Sequence, residues 1–167
     1  HIKARTGLYA RSMPDARFEG QPGTYDAVFW SRGCPAYNCS LGYPRDGKPA
    51  FCIVPEMEGS RFTLYPEASP APTILDNNLS ALPRIHQERI IERTLAAGFP
   101  EVDANSGFEP HSFRPETAER WKHLPLRVWR FAFDEVGEWK EVLRTVEILK
   151  DAGIKPRRMH VYCIAGN

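Results

Sequence analysis

Leu126-Arg127-Val128-Trp129-Arg130-Phe131-Ala132-Phe133 is followed by Glu138 to Ala152, in which Trp139, Val142, Leu143, Val146 and Leu149 recur every three or four residues, and then by Met159-His160-Val161-Tyr162-Cys163-Ile164-Ala165. The first and last runs are short and bulky, as buried strands are. The middle run reads as an amphipathic helix ended by Gly153. Strand, helix and strand in succession make a βαβ unit, with parallel strands and a right-handed crossover.

The same rhythm runs back toward the N-terminus. Pro115–His123 reads as a short helix, with Pro115 where a helix start accepts it. Glu101–Asn105 is a weaker strand. Arg84–Ala97 is a helix with Ile85, Ile90, Ile91 and Leu95 on its apolar side, stopped by Gly98. Thr73-Ile74-Leu75-Asp76 is a strand, and so is Tyr25–Trp30, with its apolar Ala27-Val28-Phe29-Trp30. Five strands alternating with three helices imply an α/β fold with a parallel sheet. That is too few units for an eight-unit barrel, and it fits a partial (β/α) barrel or an open sheet. The expected organisation is an irregular lead-in over 1–24 and a core over 25–167. A long loop over 31–72 interrupts that core, and long loops of this kind are usually functional.

The chain has 167 residues and a formal net charge of +1. That length suffices for one domain with a real core. The near-zero charge gives no bulk attraction to nucleic acid or to anionic membrane. No apolar run approaches the length that spans a bilayer, and there is no secretory signal. A cytoplasmic protein is expected. His1 in place of a starting Met, and an end at Gly166-Asn167 just past an apolar run, suggest a piece of a longer parent.

Three of the four cysteines, Cys34, Cys39 and Cys52, lie in the long loop, just past the first strand. The end of a parallel strand is where α/β folds gather ligands. Three thiolates there suit a soft metal centre. A disulfide framework and a zinc site are the alternatives; zinc usually takes four ligands in closely spaced pairs. Cys163 stands apart in Val161-Tyr162-Cys163-Ile164 and reads as a buried thiol packing like a small hydrophobe.

The residues around these cysteines resemble the radical S-adenosylmethionine (SAM) superfamily. Its usual pattern is Cys-x3-Cys-x2-Cys, with an aromatic residue often just before the third cysteine. One subset reads Arg-Gly-Cys-Pro, then Cys, then an aromatic and Cys, then Val-Pro and Glu-Gly. Arg32-Gly33-Cys34-Pro35, Phe51-Cys52, Val54-Pro55 and Glu58-Gly59 stand in that order here. The spacing departs from the pattern: four residues separate Cys34 from Cys39, and twelve separate Cys39 from Cys52. The extra stretch, Gly42-Tyr43-Pro44-Arg45-Asp46-Gly47-Lys48-Pro49, is turn chemistry.

The resemblance implies a (β/α)6 partial barrel in which Cys34, Cys39 and Cys52 hold a [4Fe–4S] cluster and SAM chelates the fourth iron. Its activity would be reductive cleavage of SAM to a 5′-deoxyadenosyl radical that abstracts hydrogen from a substrate not legible here. An electron donor such as a flavodoxin or ferredoxin would be needed. A radical SAM-like module that no longer assembles the cluster, and binds zinc or a partner instead, is the alternative.

The resemblance also implies SAM contacts. Phe51 and Ile53 would flank the adenine, and Gly166 would let backbone approach it. Asp76 and Asn77 would receive the SAM ammonium, an interaction that a carboxylate or amide oxygen can provide; helix capping is their other reading. Asn105 and Ser106 would meet the ribose or carboxylate, or else form a polar turn in which Gly107 takes positive φ. Asp134 would meet ribose or substrate, or cap the next helix. Arg130, set among large apolar residues, needs a partner: the SAM carboxylate or a structural ion pair. His86 and His123 read as surface residues, and His111 lies in a loop within reach of the site.

Overall fold

The computed structural model describes residues 26–35, 52, 54–134 and 136–163. Its elements are β1 (Ala27–Val28), β2 (Ser31–Arg32), α1 (Val54–Glu58), β3 (Thr63–Leu64), β4 (Thr73–Ile74), α2 (Arg84–Ala96), β5 (Asp103–Ala104), α3 (Pro115–Trp121), β6 (Trp129–Phe133), α4 (Trp139–Asp151) and β7 (Met159–Cys163). The lead-in over 1–24, Tyr25 and Ile164-Ala165 lie outside the described residues.

β4 lies between β1 and β5, parallel to both. Backbone bonds carry these two-residue ladders further: Leu75 N–H donates to Val28 C=O at 2.9 Å, and Asn105 N–H to Ile74 C=O at 3.0 Å. Parallel bridges from Val102 to Leu126 and from Phe108 to Phe131 join β5 to the β6 region. β6 then pairs with β7, parallel, in register from Trp129↔Met159 to Phe133↔Cys163. The result is a mixed α/β structure whose parallel strands run in chain order, and among the described residues no barrel closes.

The core lies between this sheet and its helices. Trp121, Trp129, Phe108, Phe113 and Phe131 pack together there. Phe108 stacks on Trp129 with centroids 5.1 Å apart, and Phe113 meets Phe131 edge-on at 5.3 Å, the two geometries that aromatic quadrupoles favour. Alternation along β6 turns Arg130 away from that cluster, toward Asp103.

Several expectations need correction. The loop over 31–72 is not structureless: β2 and β3 pair antiparallel within it, and α1 lies between them. On α2, Ile85 and Leu95 are exposed, while His86, Gln87 and Thr94 are buried with Ile90 and Ile91. The buried stripe is rotated, and His86 and Gln87 on it find partners outside the helix. His86 Nε2 meets Trp30 C=O at 2.9 Å, so that nitrogen carries the proton. Gln87 accepts from Trp121 Nε1 at 2.9 Å and donates to Leu82 C=O at 2.7 Å. His86 is therefore not a surface residue, and burial holds its pKa below the usual imidazole value. On α4, Val142, Thr145 and Leu149 are buried, and Trp139 and Leu143 are exposed. Cys163 is exposed as well, because β7 has β6 on one side and no strand on the other among the described residues.

Candidate functional site

β1 ends at Val28 and, after Phe29-Trp30, the chain enters β2, so the cysteine loop leaves from Gly33-Cys34 beside the C-terminal end of the parallel sheet. It returns through Cys52 and α1. The two feet of this loop are tied together. Cys34 N–H donates to Gly59 C=O at 3.1 Å. Glu58, the last residue of α1, pairs with Arg32 at 2.7 Å and accepts from Gly33 N–H at 3.0 Å. It also accepts from Asn77 Nδ2 at 2.8 Å. Arg32 lies over the Phe29 ring at 4.0 Å, which places one cation between an aromatic face and a carboxylate. Glu58 therefore gathers the end of β2 and the end of β4 at one point, next to Cys34.

Asp76 stands where β4 ends, but it faces inward. It is fully buried, accepting from Trp30 N–H at 2.9 Å and from Ser31 Oγ at 2.5 Å. Both oxygens are engaged in fixing the β1–β2 corner, so the expected contact with a ligand ammonium is not open in this arrangement. Burial pushes its carboxyl up to about 7, against hydrogen bonds from the Ser31 side chain and from the backbone of Trp30, Ser31 and Asp76 itself that pull it down.

That shift has a sign. The folded-state pKa lies above the unfolded value, so the folded protein holds the extra proton between the two. Asp76 then contributes most stability below about pH 4, and the contribution is lost as pH rises through about 7. One such proton gives a slope of up to about 1.4 kcal/mol per pH unit. Urea unfolding at about pH 5 and about pH 7 should show a smaller decline for Asp76→Asn than for the parent protein. Equal declines would take Asp76 out of this role.

The remaining candidates divide. Asn77 is half-buried and held by Glu58. Asn105 and Ser106 are exposed at the end of β5, and Ser106 Oγ donates to Leu75 C=O at 3.4 Å. Asp134 follows β6, where its N–H donates to Glu138 at 3.0 Å. His111 Nε2 lies 3.7 Å from Glu138. Arg130 is paired with Asp103 and also donates to Tyr162 Oη at 2.9 Å and Ala104 C=O at 3.3 Å. Of the two partners considered for Arg130, the structural ion pair is the one present. Phe51, Ile53, Gly166 and Cys39 lie outside the described residues.

Among the described residues, Cys34, Cys52 and Cys163 form no disulfide with one another. Cys34 and Cys52 are both partly exposed. Asn78, buried, directs Nδ2 toward Cys34 Sγ at 3.9 Å. Among the described residues no three His, Cys, Asp or Glu side chains form a metal-binding group.

The chain has a radical SAM-like fold. It superposes on the radical SAM methyltransferase TsrM from Kitasatospora setae, solved with cobalamin and a [4Fe–4S] cluster bound, with a TM-score of 0.59 and 13% sequence identity. The match covers 93% of this chain and 36% of that one, so the chain spans about a third of its length. No protein-family model matches the chain, and no curated protein matches it in sequence.

Cys34 and Cys52 are partly exposed soft donors of the type an iron–sulfur cluster takes, and an amide N–H is turned toward the Cys34 sulfur. Reasoning from the sequence missed Glu58 and Asn78 as organisers of this corner. Glu58 stood in the Glu-Gly of the quoted pattern, and Asn78 directly follows Asp76 and Asn77, which were the signals available. No helix of the described residues is long and apolar enough to cross a membrane.

Proposed function

We propose that this chain is the core of a radical SAM enzyme, a (β/α)6-type partial barrel acting on a substrate held largely by other parts of the protein. The observation that carries this reading is the clamped base of the cysteine loop at the strand ends of a radical SAM-like fold. Cys34, Cys39 and Cys52 would be the ligands of a [4Fe–4S] cluster. The Glu58 clamp supports the widened spacing, because it holds the loop's feet together whatever the loop's length. Extra loop residues add little closure entropy, about 0.6 kcal/mol per doubling.

Held by these cysteines, a cluster would supply the electron for reductive cleavage of a carbon–sulfur bond at the sulfonium of SAM. The electron would come from a small donor such as a flavodoxin or ferredoxin. The chain's own residues position and shield. Asn105 and Ser106, exposed at the end of β5, offer hydrogen bonds to the ribose or carboxylate of SAM. Asn77 presents its amide at the same edge, held by Glu58. Asp76 secures the corner from beneath.

Anaerobic reconstitution with iron and sulfide tests the reading. A brown protein with stoichiometric iron and sulfide is the expected result. Cys34→Ala, Cys39→Ala and Cys52→Ala should each lose most of the iron, and the exposed Cys163→Ala should keep it. A colourless protein carrying stoichiometric zinc, or iron retained in all three loop variants, would overturn it.

A further inference from the structure

We propose that Asn78 is a positioning residue that donates an N–H···S hydrogen bond to Cys34 and so sets the reduction potential of the metal centre that Cys34 ligates. This inference rests on the reading of Cys34 as a cluster ligand. It goes beyond that reading by assigning an electronic role to a residue that ligates nothing.

The geometry fixes which end of the amide faces the sulfur. Asn78 Oδ1 lies 3.1 Å from the backbone N–H of Ala81 and 3.1 Å from Ser80 Oγ. A backbone N–H only donates, so the atom it meets is the oxygen. The amino group is thereby turned to Cys34 Sγ, 3.9 Å away, a long but admissible distance for a sulfur acceptor. Asn78 is 6% exposed, so water competes little for that N–H.

The latch behind it is itself tied down. Ser80 Oγ accepts from Glu109 N–H at 2.9 Å and lies 2.8 Å from Ser112 Oγ. Glu109 accepts in turn from His111 and Ser112 N–H, at 2.7 and 2.9 Å. The loop after β5 thus holds Ser80, whose single hydroxyl proton is shared between Glu109 C=O at 3.0 Å and the Asn78 oxygen at 3.1 Å, while Ala81 N–H fixes that oxygen and the Asn78 amino group faces the thiol.

Hydrogen bonds to a ligating sulfur stabilise the more negative, reduced state and raise the potential. Asn78→Ala should therefore shift the one-electron equilibrium of the reconstituted protein about tenfold toward the oxidised form, about 59 mV more negative. Ser80→Ala, which loosens the latch, should move it the same way by less. It should add nothing in the Asn78→Ala background, since both act through one hydrogen bond. Spectroelectrochemical titration of the whole chain, with iron content measured alongside, reads all of these.

Full iron with an unchanged potential in Asn78→Ala overturns the inference and leaves the proposed function standing. A Ser80→Ala shift that adds fully to that of Asn78→Ala also overturns it. So does iron lost from Asn78→Ala together with an unshifted potential in Ser80→Ala. A parent protein that takes up no iron removes the proposed function, and this inference with it.

Discussion

Glu58→Ala is expected to destabilise the protein by about 3–5 kcal/mol, the range for removing one partner of a buried ion pair. The side chains of Arg32 and Glu58 are only 11% and 12% exposed. Without Glu58 the Arg32 guanidinium stays buried with Phe29 against it and no carboxylate. Gly33 N–H and Asn77 Nδ2 lose their acceptor in the same step. Replacing both charges, as in Arg32→Met/Glu58→Met, should recover part of the loss, because no lone charge is then buried. Urea unfolding of the three variants measures this. A loss below about 1 kcal/mol in Glu58→Ala, typical of exposed pairs, would show that the clamp carries no strain of assembly. Iron uptake should fall with stability, since the same contacts bring Cys34 to the foot of α1.

The alternation of strands and helices was legible because it is written in local periodicity. The bulky run ending in Phe133, the three-and-four spacing over α4 and the glycines after α2 and α4 all act within a few residues of themselves. Pro115 opens α3 for the same reason, since its ring suits a first turn. Which face of each helix turns inward was less legible. Ile85 is apolar and exposed, and its neighbours His86 and Gln87 are polar and buried. Their burial depends on partners 56 and 34 residues away, at Trp30 and Trp121. A periodicity argument ranks residues by polarity and cannot supply such partners.

The site shows the same division. The cysteines and their flanking residues could be picked out from short-range pattern. The direction each polar side chain takes could not. Asp76 resembled a ligand group because it is acidic and ends a strand, yet its oxygens are taken by Trp30 and Ser31, on a segment 46 and 45 residues earlier. Arg130 was recognisable as a buried cation in need of a carboxylate. That the carboxylate is Asp103, one strand over, follows from the parallel pairing of β5 with the β6 region, which no local motif encodes.

Gly107→Ala is expected to cost about 2–5 kcal/mol, where the same change at Gly98 costs about 1–2. Both glycines have positive φ, +78° and +72°. An L-residue in that region pays about 1–2 kcal/mol. The difference lies in what surrounds them. At Gly98 nothing lies within 4 Å of an added Cβ. At Gly107 the Cβ would run into the Arg130 carbonyl oxygen, and it would stand 2.8 Å from the Arg130 Cβ. Overpacking of that kind adds about 1–3 kcal/mol. The crowding cannot relax cheaply, because Arg130 C=O also accepts from Phe108 N–H at 2.9 Å, and that bond seats Phe108 in the aromatic core. Moving β6 away would also loosen the Arg130–Asp103 pair beneath the strand ends. Thermal and urea unfolding of the two alanine variants, side by side, separates the conformational cost from the steric one. Equal losses at the two positions would mean that the loop after β5 does not press on β6, and that the polar run from Asp103 to Gly107 is held at the sheet edge by something other than this contact.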